Sequence, residues 1–477
     1  MNLKVKTKLP LDLGKMHFIG IGGIGMSGIA EIIYNLGYKV SGSDLKYTPI
    51  INRLIKMGID VKIGHDSKNI DAAEIIVISS AIGSENLELK EARRKKIPVI
   101  RRSEILAELM RLKSNIAIAG THGKTTTTSM VAAVLESGMF DPTVVNGGII
   151  QDYGSNARLG DGDWMIVEAD ESDGTLIEIP STISIITNLD PEHLDHYGTF
   201  SALKKTFLEF LNSIPFYGVA ICFIDHPEVK NLISKVKDRN VLTYGYSSEA
   251  DFQIKNLEYK KNKAFFQIFK KQNEENIEFE LPMYGDHNVA NAAAAITVAL
   301  YLKIPIENIK KGLKNFKGVK RRFTKVCNWN GIDIIDDYAH HPVEILAVLS
   351  AARKYTSGRV IAVHQPHRYT RLESLMSDFS KCFDEADIVG ITPLYEAGEK
   401  PKEGINSEKL IKLLNNRSIN ASIVDNEIGL VSFLKLNGKL IISETFDNFL
   451  NHRNVMTDAN MVLKPVVQNV VHEVNFY

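Results

Sequence analysis

Residues 16–44 read MHFIGIGGIGMSGIAEIIYNLGYKVSGSD, and this stretch decides the fold at the start of the chain. A short apolar run is followed by glycines, by an apolar helical pattern that stops near Gly37, and by a second apolar run. A strand, a helix and a second strand within about 30 residues form a βαβ unit. The sequence therefore predicts a parallel α/β sheet in the first domain.

The glycines of this unit lie between the first strand and the helix, at residues 20–25, which we call the first glycine loop. Its GxGxxG spacing lets the backbone approach a diphosphate, whose charge then lies at the helix N-terminus. The predicted ligand-binding residues are Gly20, Gly22, Gly23, Gly25 and, at the end of the second strand, Asp44. A tight turn without a ligand shares this pattern, and the motif does not separate a dinucleotide from a nucleotide-sugar diphosphate.

A second loop of this kind, GTHGKTT at residues 120–126, also follows an apolar strand and opens a helix. Backbone amides can cradle phosphates, Lys124 can neutralise their β and γ oxygens, and the Thr125 hydroxyl can bind Mg²⁺. A structural turn would not need Lys followed by Thr, so we predict an ATP-binding loop. Its predicted contacts are Gly120, Thr121, His122, Gly123, Lys124, Thr125 and Thr126.

Acidic residues close two later apolar strands, as EADESD at 168–173 and NLDPEHLDH at 188–196. Grouped carboxylates are unfavourable unless cations or donors meet them, and Mg²⁺ is the natural partner beside a nucleotide loop. A solvated acidic loop is the alternative for the first segment. His193 is either a metal ligand or a structural histidine.

Polar groups also mark the later part of the chain. GDHNVAN at 285–291 leads into an alanine-rich helix and either contacts an adenine edge or caps the helix. QPHRYTR at 365–371 follows a strand, and its Arg368 and Arg371 have the planar fork that suits carboxylate or phosphate.

The amino-acid composition argues against several classes of protein. The 477 residues hold 57 Lys+Arg and 57 Asp+Glu, so no excess of positive charge indicates a nucleic-acid partner. The three cysteines form no CxxC pair, which suits a reducing cytoplasm. We expect no signal peptide and no membrane insertion, because the longest apolar stretch, residues 292–302, is too short to span a bilayer.

The pattern of strands and helices predicts an α/β protein of three domains, at residues 1–112, 113–325 and 326–477. Residues 250–283 alternate apolar and polar, which predicts additional antiparallel β structure in the central domain.

Taken together, these motifs resemble the Mur ligases of bacterial cell-wall synthesis, and most closely the type that joins L-alanine to UDP-N-acetylmuramate. GxGxxG alone is a weak signal, but the combination is specific and keeps the family's order over about 350 residues. The matching segments are GIGGIGMSG (20–28), GTHGKTTTT (120–128), EADESD (168–173), TNLDPEHLDHY (187–197), GDHNVANAAAA (285–295), RRF (321–323), DDYAHHP (336–342) and QPHRYTR (365–371).

The resemblance implies an N-terminal Rossmann-like domain that binds the UDP group and a central P-loop ATPase-like domain. It also implies a C-terminal Rossmann-like domain that closes over ATP and the amino acid. ATP is then a co-substrate, Mg²⁺ the cofactor, and UDP-N-acetylmuramate and L-alanine the partners, in a cytoplasmic enzyme of peptidoglycan synthesis that supports cell shape and division. Whether it is a monomer or a homodimer stays open.

The resemblance also assigns roles by position. The implied catalytic residues are Lys124, Glu168, His193 and Arg322, and the implied metal ligands are Thr125, Glu168 and His193. The implied contacts to the nucleotide are His287 and Asn291 at adenine, Asp337, and Arg322 at the phosphates. The implied contacts to alanine and to the muramoyl carboxylate are His367, Arg368 and Arg371.

The chain departs from the family near its end, where residues 441–450 read IISETFDNFL in place of a glycine-rich GAG stretch. This keeps open an inactive regulator that binds a UDP-sugar. A nicotinamide-dependent oxidoreductase would explain the first glycine loop but leaves GTHGKT unexplained. A ligase for a recycled tripeptide is a third alternative, although its loop lacks the QPHRYTR pattern.

Overall fold

The computed structural model describes residues 14–172, 174–329, 332–425, 433 and 440–443. The chain divides into two compact units. Unit 1 comprises Met1–Pro282 and Asn288–Val319, and unit 2 comprises Met283–His287 and Lys320–Tyr477. The atypical segment beyond Ser443 lies outside the described residues.

Unit 1 begins with a parallel sheet flanked by helices. Its strands are β1 (Met16–Ile19), β2 (Val40–Asp44), β3 (Asp60–Ile63), β4 (Ile75–Ile78) and β5 (Val99–Arg101), and its helices are α1 (Ile24–Asn35), α2 (Pro49–Lys56), α3 (Leu87–Arg94) and α4 (Arg102–Met110). The strand order is β3-β2-β1-β4-β5. Met16 lies opposite Val40 on one side and Ile75 on the other. The predicted βαβ unit is confirmed, and the first glycine loop joins β1 to α1.

A buried carboxylate ties this sheet together. Glu88, in the first turn of α3, is fully buried and accepts hydrogen bonds from Ser43 Oγ at 2.6 Å and Asn69 Nδ2 at 2.6 Å. Its Oε2 also lies 3.3 Å from His17 Nε2. Burial alone would raise the pKa of Glu88, but hydrogen bonds from His17 and Ser43 lower it to about 2. The charged form is therefore the stable one in the folded protein.

Because this charge is buried and fully hydrogen-bonded, Glu88→Gln should reduce the free energy of unfolding at pH 7 by about 2 kcal/mol. The pKa of Glu88 is lowered on folding, so its contribution is complete above the unfolded pKa, about 4.3, and is lost as pH falls towards 2. Urea unfolding at pH 7 and pH 3 would test both statements, because the difference between Glu88→Gln and the wild type should be clearly smaller at pH 3. The exposed Glu85→Gln is the matched control, and an equal effect of the two variants would contradict the prediction.

A second, larger sheet completes unit 1. Its strands are β6 (Ser114–Ala119), β7 (Thr143–Ile150), β8 (Ser155–Arg158), β9 (Trp164–Glu168), β10 (Ile183–Ile186), β11 (Val219–Phe223), β12 (Asn240–Gly245), β13 (Phe252–Lys260), β14 (Lys263–Lys270) and β15 (Glu275–Leu281). The accompanying helices are α5 (Lys124–Ser137), α6 (Leu194–Tyr197), α7 (Phe200–Asn212), α8 (Pro227–Ile233), α9 (Asp286–Tyr301) and α10 (Ile306–Lys314). The strand order is β15-β14-β13-β12-β11-β10-β6-β9-β7-β8.

The topology of this sheet decides where the polar loops lie. Strand β6 pairs in parallel with β10 on one side and β9 on the other. Their carboxyl ends therefore meet at one edge, which is where an open α/β sheet binds its ligands. The antiparallel pairs β13–β14 and β14–β15 confirm the additional β structure predicted over 250–283.

Unit 2 contains its own sheet. Its strands are β16 (Thr324–Trp329), β17 (Ile332–Asp336), β18 (Ile361–His364), β19 (Ile388–Ile391), β20 (Ala421–Ile423) and β21 (Leu440–Ser443), and its helices are α11 (Pro342–Tyr355), α12 (Tyr369–Ser374), α13 (Met376–Phe379) and α14 (Ser407–Asn416). The strand order is β16-β17-β21-β18-β19-β20. β16 pairs with β17 in antiparallel fashion, and the other neighbours are parallel, as in a Rossmann-like sheet. Within the described part of the chain, every helix is too short or too polar to cross a membrane.

Candidate active site

The second glycine loop turns from β6 into α5 through a backbone shape that requires glycine. Gly123 has a φ of +81°, in the left-handed region. A Cβ at this position would also lie 2.7 Å from Asn291 Oδ1. Asn291, a predicted adenine contact, therefore lies directly against the loop predicted to bind ATP.

Residues that follow β10 hold this loop in place. His122 N donates to Asn188 Oδ1 at 2.7 Å, and Asn188 Nδ2 donates to His122 O at 2.9 Å. Asp190 N donates to Thr121 Oγ1 at 2.8 Å. A loop clamped in this way keeps its shape without a ligand, which reduces the ordering entropy of binding.

Lys124 is held by three acceptors at the start of α5. Its Nζ donates to Gly120 O at 2.6 Å, to Thr121 O at 3.2 Å and to Glu171 Oε1 at 2.8 Å. Burial alone would lower the pKa of Lys124, but the charges of Glu171 and Glu168 raise it above its usual value. The side chain is thus a fixed ammonium beside the loop, suited to stabilise phosphate charge.

Two residues predicted to bind the metal lie next to each other at the same edge of the sheet. Thr125 Oγ1 donates to Glu168 Oε1 at 3.1 Å, and Glu168 Oε2 accepts a hydrogen bond from Gly147 N at 2.6 Å. Hydroxyl and carboxylate oxygens are the ligands that Mg²⁺ prefers. The structure therefore brings together two of the three residues predicted to bind the metal.

The third predicted ligand, His193, lies beside Glu171. Its φ of +55° places it in the left-handed region at the start of α6, and its Nε2 lies 3.9 Å from Glu171 Oε1. Among the described residues, no three His, Cys, Asp or Glu side chains form a group that could hold a metal by themselves. Mg²⁺ beside a nucleotide keeps water and phosphate oxygens, so Thr125 and Glu168 suit it without a closed protein cage.

Glu171 and Asp190 are site residues to which the sequence assigned no role. Asp190 Oδ2 lies 3.4 Å from His122 Nε2, and its Oδ1 lies 3.4 Å from His226 Nε2. Burial would raise the pKa of Asp190, but these two histidines lower it below its usual range. Glu171 and Asp190 both belong to acidic segments that follow apolar strands, and this position in the sequence could have identified them. The sequence around His226 gave no comparable indication.

The first glycine loop has a carboxylate within it. Gly22 N donates to Asp44 Oδ2 at 2.9 Å, and Gly20 N donates to Ser43 O at 2.8 Å. The predicted loop residues and Asp44 are therefore brought together at the end of β1 and β2. The backbone N–H of Gly22, which could otherwise donate to a bound anion, already donates to the Asp44 carboxylate.

Unit 2 carries the remaining predicted nucleotide contacts. Asp337 is buried and accepts hydrogen bonds from Phe323 N at 2.7 Å and Ala339 N at 2.8 Å. Burial raises the pKa of Asp337 to about 6, although the charge of Arg322 opposes the shift. These two hydrogen bonds fix the backbone at Phe323, next to Arg322, and at Ala339.

His287 is another predicted nucleotide contact in unit 2. Desolvation lowers the pKa of His287 to about 4, so its imidazole is neutral near pH 7.

The loop after β18 gathers the other predicted contacts of unit 2. Arg371 Nη1 lies 3.4 Å from His367 Nδ1. Burial lowers the pKa of His367 to about 4, so its ring is neutral near pH 7 and Nδ1 can accept a hydrogen bond from Arg371. Arg368 has a φ of +68°, a strained value for a residue other than glycine. Such strain is typical of ligand-binding loops, and here it accompanies the hydrogen bond from Arg368 N to Tyr395 O at 2.8 Å.

Three family models match successive parts of the chain. They are the "Mur ligase family, catalytic domain" at residues 15–114, the "Mur ligase middle domain" at 118–299 and the "Mur ligase, glutamate ligase domain" at 321–435. Together they match well over half of the sequence.

Whole proteins give the same result. A UDP-N-acetylmuramate–L-alanine ligase of Roseobacter denitrificans is 58% identical over 410 residues, covering 86% of this chain and 88% of the relative. The enzyme of that name from a Jannaschia species is 57% identical over 406 residues, covering 85% and 86%. The crystal structure of a UDP-N-acetylmuramate-alanine ligase from Thermotoga maritima is 26% identical, has a TM-score of 0.80, and covers 96% of this chain and 100% of that one.

Proposed function

The chain belongs to the Mur ligase family, and from that premise we propose that it joins L-alanine to the lactyl carboxylate of UDP-N-acetylmuramate. It is an ATP-dependent amide-bond-forming ligase of peptidoglycan precursor synthesis. The observation that carries this function is the second glycine loop, with Lys124 fixed beside it and Thr125 paired with Glu168.

The reaction has two steps. A lactyl carboxylate oxygen attacks the γ-phosphorus of ATP, the bond to the bridging oxygen breaks, and ADP leaves with that electron pair. The resulting acyl phosphate is then attacked at its carbonyl carbon by the alanine amine, which loses a proton as the C–N bond forms and phosphate departs. ATP supplies the leaving group that the carboxylate lacks.

The first step must bring two anions together, and this determines which groups are needed. Two like unit charges at 4 Å repel by about 4 kcal/mol at an effective dielectric of 20. We propose that Lys124 and Arg322 offset this repulsion and stabilise the charge that spreads over the transferring phosphoryl group. The fixed position of Lys124 supports the proposal, because a preorganised cation needs no rearrangement during the reaction.

We propose Mg²⁺ as the cofactor, held by Thr125 and Glu168 with His193 as the further candidate. The adjacent oxygens of Thr125 and Glu168 support this choice. When bound, the ion would neutralise charge on the phosphates of ATP. The protein's own part is to hold these oxygens at the start of α5.

The remaining roles are proposals of the same kind. We assign the UDP group to the first glycine loop and Asp44, adenine to His287 and Asn291, and further nucleotide contact to Asp337. The three domains at 1–112, 113–325 and 326–477, and a cytoplasmic location, complete the proposal. A role in cell shape and division follows from the peptidoglycan precursor.

We propose that Arg368 and Arg371 bind carboxylate groups of alanine or of the muramoyl substrate, with His367 beside them. Arg371→Lys keeps the charge but loses the bidentate fork. Because one charge-assisted hydrogen bond is lost, kcat/KM for L-alanine or UDP-N-acetylmuramate should fall by about 10- to 150-fold.

Steady-state kinetics for each substrate, with ATP affinity by calorimetry, would test this assignment. ATP affinity should hold. The exposed Arg359→Lys, in the same unit, is the matched control and should leave all three substrates unaffected. If ATP affinity drops in Arg371→Lys while the kinetics for alanine and sugar hold, these arginines serve the nucleotide instead.

An amino-acid panel with UDP-N-acetylmuramate, Mg²⁺ and ATP tests the function itself. We expect ADP and phosphate to form only when both substrates are present, with L-alanine preferred. A change in nicotinamide absorbance, or use of a tripeptide in place of L-alanine, would favour the alternatives. UDP-sugar binding without ADP formation would indicate an inactive regulator.

A further inference from the structure

His226 follows β11, which pairs in parallel with β10, so it lies at the sheet edge that carries the second glycine loop. Its side chain is 19% exposed, and its Nε2 lies 3.4 Å from Asp190 Oδ1. The preceding residue fixes its position, because Asp225 accepts hydrogen bonds from Tyr246 N at 2.5 Å and from Ser247 N at 2.9 Å. His226 is therefore held in one place beside Asp190.

Asp190 joins His226 to the second glycine loop. Its Oδ2 lies 3.4 Å from Nε2 of His122, a residue of that loop, and its backbone N donates to Thr121 Oγ1 at 2.8 Å. Burial would raise the pKa of Asp190, but the two histidines lower it below its usual range. A charged carboxylate therefore lies between an imidazole of the loop and an imidazole outside it.

The position of this carboxylate has an electrostatic consequence. A negative charge beside a phosphate-binding loop disfavours ATP, because like charges repel. A histidine that donates to the carboxylate offsets this charge and restricts its rotation. Asp190 is 23% exposed, so a carboxylate that lost His226 would have room to rotate away from His122 and to loosen the loop.

The hydrogen bonding of His226 shows that stability does not account for it. A carboxylate only accepts hydrogen bonds, so the proton lies on His226 Nε2 and Nδ1 is an acceptor in the neutral ring. Within the part of the chain that the structure describes, this buried Nδ1 has no hydrogen-bond partner. An unpaired buried acceptor lowers stability. The contact with Asp190 therefore calls for another explanation.

We propose that His226 is a positioning residue for ATP binding. It acts through Asp190 on His122 and so holds the second glycine loop in the shape that receives the phosphates. The inference deepens the proposed function, on which it rests for the assignment of this loop to ATP.

Calorimetry with Mg²⁺·ATP and with UDP-N-acetylmuramate, on the full-length protein, tests the proposal. In His226→Leu, which has no donor, we expect the Kd of ATP to rise by about 3- to 10-fold, within the range of coupling in a hydrogen-bonded network. The KM of ATP should rise in parallel, while kcat changes by less than about twofold. The Kd of UDP-N-acetylmuramate should also change by less than about twofold, which shows that the variant is folded. His226→Gln, whose amide can donate to the same carboxylate, should recover most of the ATP affinity.

A double-mutant cycle separates action through Asp190 from a merely structural effect. In the Asp190→Asn background, His226→Leu should weaken ATP binding by less than about twofold, because the carboxylate through which His226 acts is absent. The matched control is Asn231→Leu, a similar polar-to-apolar change at an exposed position of α8, which should leave both affinities unchanged.

Unchanged ATP affinity in His226→Leu would overturn the proposal. So would an equal loss of affinity for ATP and UDP-N-acetylmuramate, and so would the same loss of ATP affinity in the Asp190→Asn background. A wild-type protein that binds Mg²⁺·ATP but forms no amide would overturn the proposed function and leave this inference intact.

Discussion

Lys124→Ala should abolish ATP turnover, with a fall in kcat of at least about 10³-fold, while UDP-N-acetylmuramate binds almost as in the wild type. The reason is the fixed position of this ammonium at the start of α5, where it would face the transferring phosphoryl group. The sugar nucleotide is assigned to the first glycine loop, which Lys124 does not contact in the described hydrogen bonds. ADP formation and calorimetry with each nucleotide would measure the two effects.

The same substitution has a second, separable effect on stability. Glu171 is 1% exposed, so removing Lys124 leaves a buried carboxylate without its ion-pair partner. The double variant Lys124→Ala/Glu171→Gln removes both charges and should recover thermal stability but not turnover. Equal loss of ATP and sugar-nucleotide binding in this double variant would show that the division of labour between the two loops is wrong.

Glu168→Gln should raise the Mg²⁺ concentration needed for half-maximal activity by at least about 10-fold and lower kcat. The amide keeps the size of the side chain but removes a negative ligand from a hard cation. A titration of Mg²⁺ at saturating ATP would measure this. The exposed Glu178→Gln, five residues beyond the acidic segment, is the matched control. Unchanged Mg²⁺ dependence in Glu168→Gln would show that Glu168 is not a metal ligand.

Strong local signals made much of the fold predictable. The pattern from Pro342 to Tyr355 is one example: proline suits the first helical turn, and helix α11 begins and ends at these two residues. The β7–β8 hairpin carried no such signal. Its pairing shifts register between Val145 and Ile150, and its residues do not alternate cleanly between apolar and polar. Helix α5 begins at Lys124, within the loop predicted at 120–126, because the last residues of that loop form the first helical turn.

The sequence indicated which segments form the candidate site, but not which side chains contact each other within it. The sequence indicated that the loop with Lys124 and the acidic segment each follow an apolar strand and suit a common Mg²⁺–nucleotide site. It did not indicate which carboxylate would hold Lys124, because that depends on the turn after β9, and the structure selects Glu171. The contact of His226 with Asp190 joins residues far apart in sequence, so only the tertiary structure reveals it.

Transfer of ¹⁸O from substrate to phosphate tests the central claim most directly. UDP-N-acetylmuramate labelled with ¹⁸O in both lactyl carboxylate oxygens would be incubated with the enzyme, Mg²⁺, ATP and L-alanine, and the products examined by mass spectrometry. Attack of this carboxylate on ATP predicts one ¹⁸O in each phosphate released and one retained in the new amide. Unlabelled phosphate, or ADP formed without amide, would contradict ATP-driven activation of the lactyl carboxylate.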